Sequence, residues 1–251
     1  MTYLAYLIAG IFLPLFPLSM IFNVLYIRIR QPLLRGLVLL LWPQIGLAIL
    51  VANNIDVPGW LMLWSLLTSI LYALRTLALR ELGIWTSFLG TSAWALLWIL
   101  IENETSTFRV QIFALGISMP LLMMTQLCAG LERRFGAAYL GLYGGLAHSI
   151  PRFSGVLVVV VLAIIATPLF PAFFAMLTMI ISNAAVAPAM AVGVGIVWLL
   201  WSWSGARLLQ GLIVGPQNHA VIDLSQSYMW LNTTVLAGLV VMGMYCLRTL
   251  V

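Results

Sequence analysis

Few residues in this chain can carry charge chemistry. The acids are Asp56, Glu81, Glu102, Glu104, Glu132 and Asp223, the histidines are His148 and His219, and all 11 basic residues are arginine. Arg75, Arg80 and Glu81 cluster at one polar end of an apolar run. An ion or proton path through a membrane needs such groups, because ionisable side chains in a bilayer are expensive and are kept for function. These three are the ion-path candidates. Glu102 and Glu104, in Glu102-Asn-Glu-Thr-Ser, read as a solvated loop. His148 in Ala147-His-Ser-Ile-Pro and His219 in Pro216-Gln-Asn-His have no nearby acid or cysteine and read as surface histidines. Cys128 and Cys246 lie in apolar runs without metal-ligand spacing and read as small packing residues. No HExxH, GxSxG, GxGxxG or P-loop pattern occurs. The sequence therefore implies no catalytic residue, no metal site and no cofactor of its own.

The elements that must position these residues follow from composition. Of 251 residues, 64% are hydrophobic and 7% charged, with a mean hydropathy of +1.14. A soluble domain carries about 25% charged residues. An ordinary cytosolic enzyme, a nucleic-acid binder and a disordered chain are thereby excluded. The fold class is all-α: a polytopic transmembrane helical bundle. At roughly 20 apolar residues per crossing, the sequence predicts about nine spans, near 3–27, 34–53, 59–79, 83–101, 110–131, 153–168, 171–184, 187–206 and 229–247. The sixth and seventh are short and flank Pro168 and Pro171, so one broken span, and eight in all, is the alternative. The chain reads as a single transmembrane domain over 1–251, with an N-terminal helix pair over 1–55 and a larger bundle over 59–251.

Arginines gather at the span ends. With nine spans, one side receives Arg28, Arg30, Arg35, Arg75, Arg80, Arg133, Arg134, Arg152 and Arg248, and the other only Arg109 and Arg207. The positive-inside rule then predicts the N-terminus outside and the C-terminus in the cytoplasm. Merging the sixth and seventh spans exchanges the sides of Arg207 and Arg248 and leaves the bias as strong. Pro43 and Pro120 should kink their helices. Trp60, Trp85, Trp201 and Trp230 read as interfacial anchors. Ala187, Ala191 and Gly195 form a small-xxx-small seam, the expected site of close helix packing. Asn23, Gln44, Gln111, Gln126 and Asn183 are expected to hydrogen-bond neighbouring helices.

Several stretches between about residues 72 and 245, taken in order, resemble the C-terminal half of the antiporter-like membrane subunits of respiratory complex I. That family also includes subunits of multisubunit sodium/proton antiporters, membrane-bound hydrogenases and CO2-hydrating inorganic-carbon uptake complexes. Ala73-Leu-Arg-Thr-Leu-Ala-Leu-Arg-Glu-Leu is similar to the family's run into an Arg-Asp-Leu-Lys motif, and Gln111-Ile-Phe-Ala-Leu-Gly116 to its Gln-Met-x-x-His-Gly. Leu131-Glu-Arg-Arg-Phe-Gly, Tyr143-Gly-Gly-Leu-Ala and Pro151-Arg resemble its Tyr-Glu-Arg, Gly-Gly-Leu and Pro segment. Ala166-Thr-Pro168, Val214-Gly-Pro216 and Asp223-Leu224 resemble later turns. The departures carry more information. Where the resemblance implies a channel lysine, this chain has Gly83. The family's membrane histidines fall at about Ala93 and Leu115, and its ionisable residue in the broken helix falls within Ala172 to Met176.

The resemblance implies the fold of such a subunit without its charged relay. It implies a non-catalytic membrane subunit of a multisubunit complex, held in the lipid bilayer of a bacterial inner membrane. Its partners would be other membrane subunits, among them a full-length antiporter-like subunit and a catalytic subunit, with no nucleic acid. The alternative is a transport-active chain that completes a proton or ion path at a subunit interface through Arg75, Arg80 and Glu81.

Overall fold

The computed structural model describes residues 2–53, 57–104, 106–142, 144–215 and 222–250; Asp56, Tyr143, Pro216 and His219 lie outside the described residues. The chain is built from helices α1 (Thr2–Phe12), α2 (Ser19–Arg28), α3 (Pro32–Ala52), α4 (Gly59–Ala78), α5 (Leu82–Ala95), α6 (Leu97–Asn103), α7 (Thr107–Phe135), α8 (Leu146–Ser149), α9 (Pro151–Ile164), α10 (Pro171–Ala184), α11 (Pro188–Ile213) and α12 (Gln226–Leu250). Proline opens α3, α9, α10 and α11. The first turn of a helix has no intrahelical use for an N–H, so proline starts a helix there at no cost. α7 ends on Gly136, whose φ of +80° lets its N–H reach back to the Glu132 carbonyl at 2.9 Å.

Among the described residues six helical stretches are long and apolar enough to cross a membrane: α3, α4, α5 with α6, α7, α11 and α12. α1 with α2 and α9 with α10 form two broken crossings, and the four-residue α8 precedes α9. In the first, α1 and α2 run antiparallel to α3. Gly46 of α3 packs on Phe12 and Leu13, and Arg35 near its start stacks over the Tyr26 ring at 5.3 Å. The sequence predicts one continuous span over 3–27; the structure interrupts it at residues 13–18. In the second, α9 starts beside the end of α7, where Arg134 sits 5.8 Å over the Phe153 ring, and Pro171 at the start of α10 rests on Gly116. Of the two counts left open above, the structure favours eight.

That count moves two arginines. Arg207 Nη2 donates to the Leu79 carbonyl at 3.3 Å, which places Arg207 at the arginine-rich end of the bundle. The last turns of α12 reach the opposite end, where Cys246 feels the charges of Glu104 and Arg109. The expectation that Arg248 shares the arginine-rich face is thus corrected, and α12 ends on the side where α1 begins.

In a membrane, a helix break must find partners for the carbonyls it frees. Here tryptophan supplies them. Around the first break, Trp42 Nε1 donates to the Ile11 carbonyl (3.0 Å), Trp98 Nε1 to Leu13 (3.0 Å) and Trp64 Nε1 to Phe16 (2.9 Å). At the second, Trp198 Nε1 is shared between the Ile165 and Ala166 carbonyls at 3.2 and 3.1 Å. Ala166 and Leu169 adopt φ of +57° and +86° there. Non-glycine residues hold this geometry only when their surroundings impose it. Gly116 and Gly243 help impose it: a methyl on the first would overlap the Pro171 ring, and one on the second the Leu169 carbonyl.

The core centres on α5 and α6, whose apolar stretch is 83% buried against 28% for α12. α4, α7, α10 and α2 pack around this pair, α3 packs on α7, and α11 closes against α4 and α10. Pro43 and Pro120 lie buried inside α3 and α7, and both helices continue past them. Asn23, Gln44 and Gln126 bond neighbouring elements, through Thr91, the Gln111 carbonyl and the Pro32 carbonyl, whereas Asn183 donates to Met179 within its own helix. The Ala187, Ala191 and Gly195 seam is not the close contact expected of it. All three are half-exposed, and a methyl on Gly195 would meet nothing within 4 Å. Tight packing of α11 runs instead through Gly193 against Leu66 and Gly205 against Val161 and Ile165.

Overpacking at a fixed contact costs about 1–3 kcal/mol. Gly116→Val and Gly243→Val are each expected to lower the thermal unfolding temperature of the detergent-solubilised chain. Gly155→Ala, at a helical position with open space around it, should leave it unchanged or slightly raised.

Candidate functional site

Arg75, Arg80 and Glu81 lie where α4 turns into α5, at the arginine-rich end. Residues 138–140 dock on this elbow: Leu82 N–H donates to the Ala138 carbonyl (3.0 Å) and Leu140 N–H to the Arg80 carbonyl (2.8 Å). The side chains then part company. Arg75 is exposed and its guanidinium stacks 5.7 Å from the Tyr72 ring centre. Arg80 lies beside Arg207 in a shallow hollow with Leu140, Gly141, Gln210 and Gly211. Glu81 Oε2 accepts from the Tyr139 hydroxyl at 3.1 Å. That hydrogen bond, with the carboxylate charge, pushes the Tyr139 phenol above its ordinary range. No ion pair joins the three candidates to one another among the described residues.

Gly83, where the resemblance implies a lysine, is buried at the second position of α5. A methyl there would lie 3.8 Å from Glu81 Oε1 and 4.0 Å from Arg35 Nη1. Arg35 thus reaches from α3 toward the place an α5 cation would occupy.

Further in, the positions that would carry a relay close on each other. Ala93, Ala172, Ala175 and Met176 surround a void of about 10 Å³ with Leu96, Leu97, Leu100, Ile117, Met179 and Trp201. A buried water needs at least about 10–15 Å³ and two to four polar partners. This void is at the lower limit of size and its lining is apolar. Trp201, the one polar-tipped residue in it, directs its Nε1 to Ser92 Oγ at 2.9 Å.

Neutral pairs hold this layer together. Trp85 Nε1 donates to Ser204 Oγ at 2.6 Å, Trp94 Nε1 to Ser118 Oγ at 3.1 Å, and Ser92 Oγ meets Ser69 Oγ at 3.0 Å and donates to the Ser69 carbonyl at 2.8 Å. Ser19 pairs with Tyr72 and Tyr26 with Thr125, both at 2.8 Å. Trp85 and Trp201, expected as interfacial anchors, are each 1% exposed and belong to this buried set; Trp60 and Trp230 are exposed as expected. The sequence signal for the layer was the doublets Thr86-Ser87 and Thr91-Ser92, four hydroxyls in an uncharged span.

One acid departs from the solvated reading. Glu104 is nearly covered and pairs with Arg109 at 3.1 Å. Asp223 holds the start of α9, with Oδ2 accepting from Arg152 N–H (2.9 Å) and Oδ1 from Phe153 N–H (3.1 Å) and Leu224 N–H (2.7 Å). Cys128 and Cys246 are buried, and His148 is exposed. Among the described residues no three His, Cys, Asp or Glu side chains come together as metal ligands.

No family model matches the sequence, and no curated protein matches it. Solved structures do. A chain of respiratory complex I from Thermus thermophilus aligns with a TM-score of 0.85 at 17% identity, over 95% of this chain and 53% of its own length. A chain of the membrane-bound sulfane sulfur reductase, an archaeal respiratory membrane complex, gives 0.82 at 17%, over 96% and 52%. A chain of the Mrp complex from Dietzia sp. gives 0.76 at 15%, over 86% and 42%. The fold is therefore that of membrane subunits in complex I-related assemblies. The likeness reaches well beyond residues 72–245, and this chain spans about half the length of the chains it matches.

Two outcomes are expected. Ser92→Ala leaves Trp201 without its acceptor and should cost about 1 kcal/mol of stability in detergent unfolding; Ser154→Ala, which removes a buried hydroxyl without a partner, should cost nothing measurable. In difference-spectrum titrations referenced to Tyr139→Phe, Glu81→Gln should bring the Tyr139 ionisation down toward its ordinary value near pH 10.

Proposed function

We propose that this chain is a non-catalytic membrane subunit of a multisubunit, energy-coupled complex related to complex I. In this reading it packs against an intact antiporter-like subunit or a catalytic partner. The observation that carries it is the closed, apolar layer at Ala93 and Ala172–Met176. A proton pump must bind its proton at a titratable group or a held water along the path. Neutral indole–hydroxyl pairs and a void at the limit of one water offer neither.

The assembly is of respiratory, hydrogenase or CO2-hydrating inorganic-carbon uptake type, and its chemistry resides in other chains. By the positive-inside rule, the face carrying Arg80, Arg134, Arg152 and Arg207 lies in the cytoplasm of a bacterial inner membrane. The outer ends of α1 and α12 then both lie on the far side. The half-exposed Ala187, Ala191 and Gly195 ridge is the surface proposed to receive a partner helix, since small residues let backbones approach closely.

The scattering of Arg75, Arg80 and Glu81 into separate contacts counts against a path through them. In the assembled complex, Arg80→Gln and Glu81→Gln should leave ion flux unchanged. Ala191→Leu with Gly195→Leu should abolish co-purification of the partner while the chain stays folded. Flux that falls in the first pair while the complex stays intact would establish the transport reading instead.

A further inference from the structure

α9 and α12 touch through few residues, and between them a groove of about 490 Å³ stays open. Its mouth is at the arginine-rich end, beside Pro151 and Arg152. Its floor is Val156, Leu236 and Val240, and it stops at Phe170, where the crossing breaks. Gly155 deepens it, because a methyl there would find nothing within 4 Å. From Met229 to Val240 the groove follows eleven residue steps of α12, about 16 Å at 1.5 Å per residue. Half of a bilayer's hydrocarbon core is about 15 Å. The groove is therefore one leaflet deep. A partner's transmembrane helix would need twice that length; a single acyl chain does not.

Charge at the mouth has one sign to spare. Asp223 lies there, but both its oxygens are taken by backbone N–H groups of α9 and of Leu224. The Arg152 guanidinium makes one long hydrogen bond, from Nη1 to the Leu224 carbonyl at 3.4 Å. No ion pair to it is found among the described residues. Across the segment 222–225, Arg133 and Arg134 line a second cleft of about 590 Å³ with Gln126 and Tyr228. Arg134 is committed to the Ile222 and Gly130 carbonyls, both at 3.0 Å, and Arg133 to Ala129 at 3.3 Å, so guanidinium groups flank the segment 222–225 on both sides. Basic pockets between membrane helices on the cytoplasmic side attract anionic head groups.

We propose that the α9–α12 groove is a site for a phospholipid with an anionic head group. One acyl chain lies along Gly155 and Ala237, and the phosphate meets Arg152. The bound lipid fills the gap that keeps α12 from packing on α9, so it completes the bundle at its least buried helix.

The test uses the full-length chain in mild detergent, with phosphatidylglycerol and phosphatidylcholine added in equal amounts and bound lipid read by native mass spectrometry. The unmodified chain should retain one phosphatidylglycerol in preference to phosphatidylcholine. Arg152→Gln should cut that preference by about fivefold, and Arg152→Lys should largely keep it. Gly155→Leu should reduce retention of both lipids. Equal retention of the two lipids by the unmodified chain would overturn the proposal, as would wild-type retention in Gly155→Leu. A photo-crosslinker at Val159 that captures a polypeptide instead of lipid in native membranes would also overturn it, and would assign the groove to a partner.

Discussion

A bilayer offers no water to a bare carbonyl, and this single constraint governs how the chain can bend. Two of its crossings are interrupted, and an interruption frees backbone groups at a depth where each costs several kcal/mol if left alone. Indole N–H groups from neighbouring helices close the account: Trp42, Trp64 and Trp98 around residues 11–16, and Trp198 at residues 165–166. The breaks and the tryptophans are one device. Remove the indole and the bend is exposed; straighten the bend and the indole donor is orphaned. Small residues then seat the elbows, with Gly116 under Pro171 and Gly243 against Leu169.

The same logic extends to the middle layer. Where related folds are expected to carry charge, this chain has alanines, methionines and a glycine, and neutral hydrogen bonds join the helices around them. Trp85 with Ser204, Trp94 with Ser118 and Trp201 with Ser92 each match one donor to one acceptor across helices. Such pairs fix which helix faces which, because a wrong rotation would leave two polar groups unpaired in an apolar medium. They give positional specificity without a group that can accept a proton. The polar elbow of Arg80, Glu81 and Tyr139 is likewise structural in its contacts: it binds the 138–140 segment to the start of α5.

Much of the fold was legible in the sequence, because apolar run length and arginine placement are set by the bilayer itself. The long spans and the arginine-rich face follow from that. What was not legible depends on depth and neighbours. Pro168 and Pro171 mark a break, but local sequence does not say whether the chain turns back or continues; only the packing of Arg207 on Leu79 and of Gly243 on Leu169 does. Pro14 and Pro17 lie in a run apolar enough to read as continuous. Trp85 and Trp201 were misplaced at the interface because a tryptophan near the end of an apolar run looks the same whether lipid or Ser204 receives its N–H. The seam at Ala187, Ala191 and Gly195 has the right spacing, yet it stays half-exposed, and α11 packs closely through Gly193 and Gly205 instead. Asp223 was seen only as part of a resemblance, and its capping of α9 spans 70 residues of sequence that no local pattern bridges.

The uncharged middle layer also sets how the molecule meets its surroundings. The two faces of an energised membrane differ in acidity and in electrical potential. A bundle held by buried carboxylates or lysines would feel both, and its helix contacts would tighten or loosen as the gradient rose and fell. Hydroxyl–indole pairs carry no net charge for a field to pull on and gain no proton as one side acidifies. Such a frame keeps its helix contacts through every state of charge of the membrane.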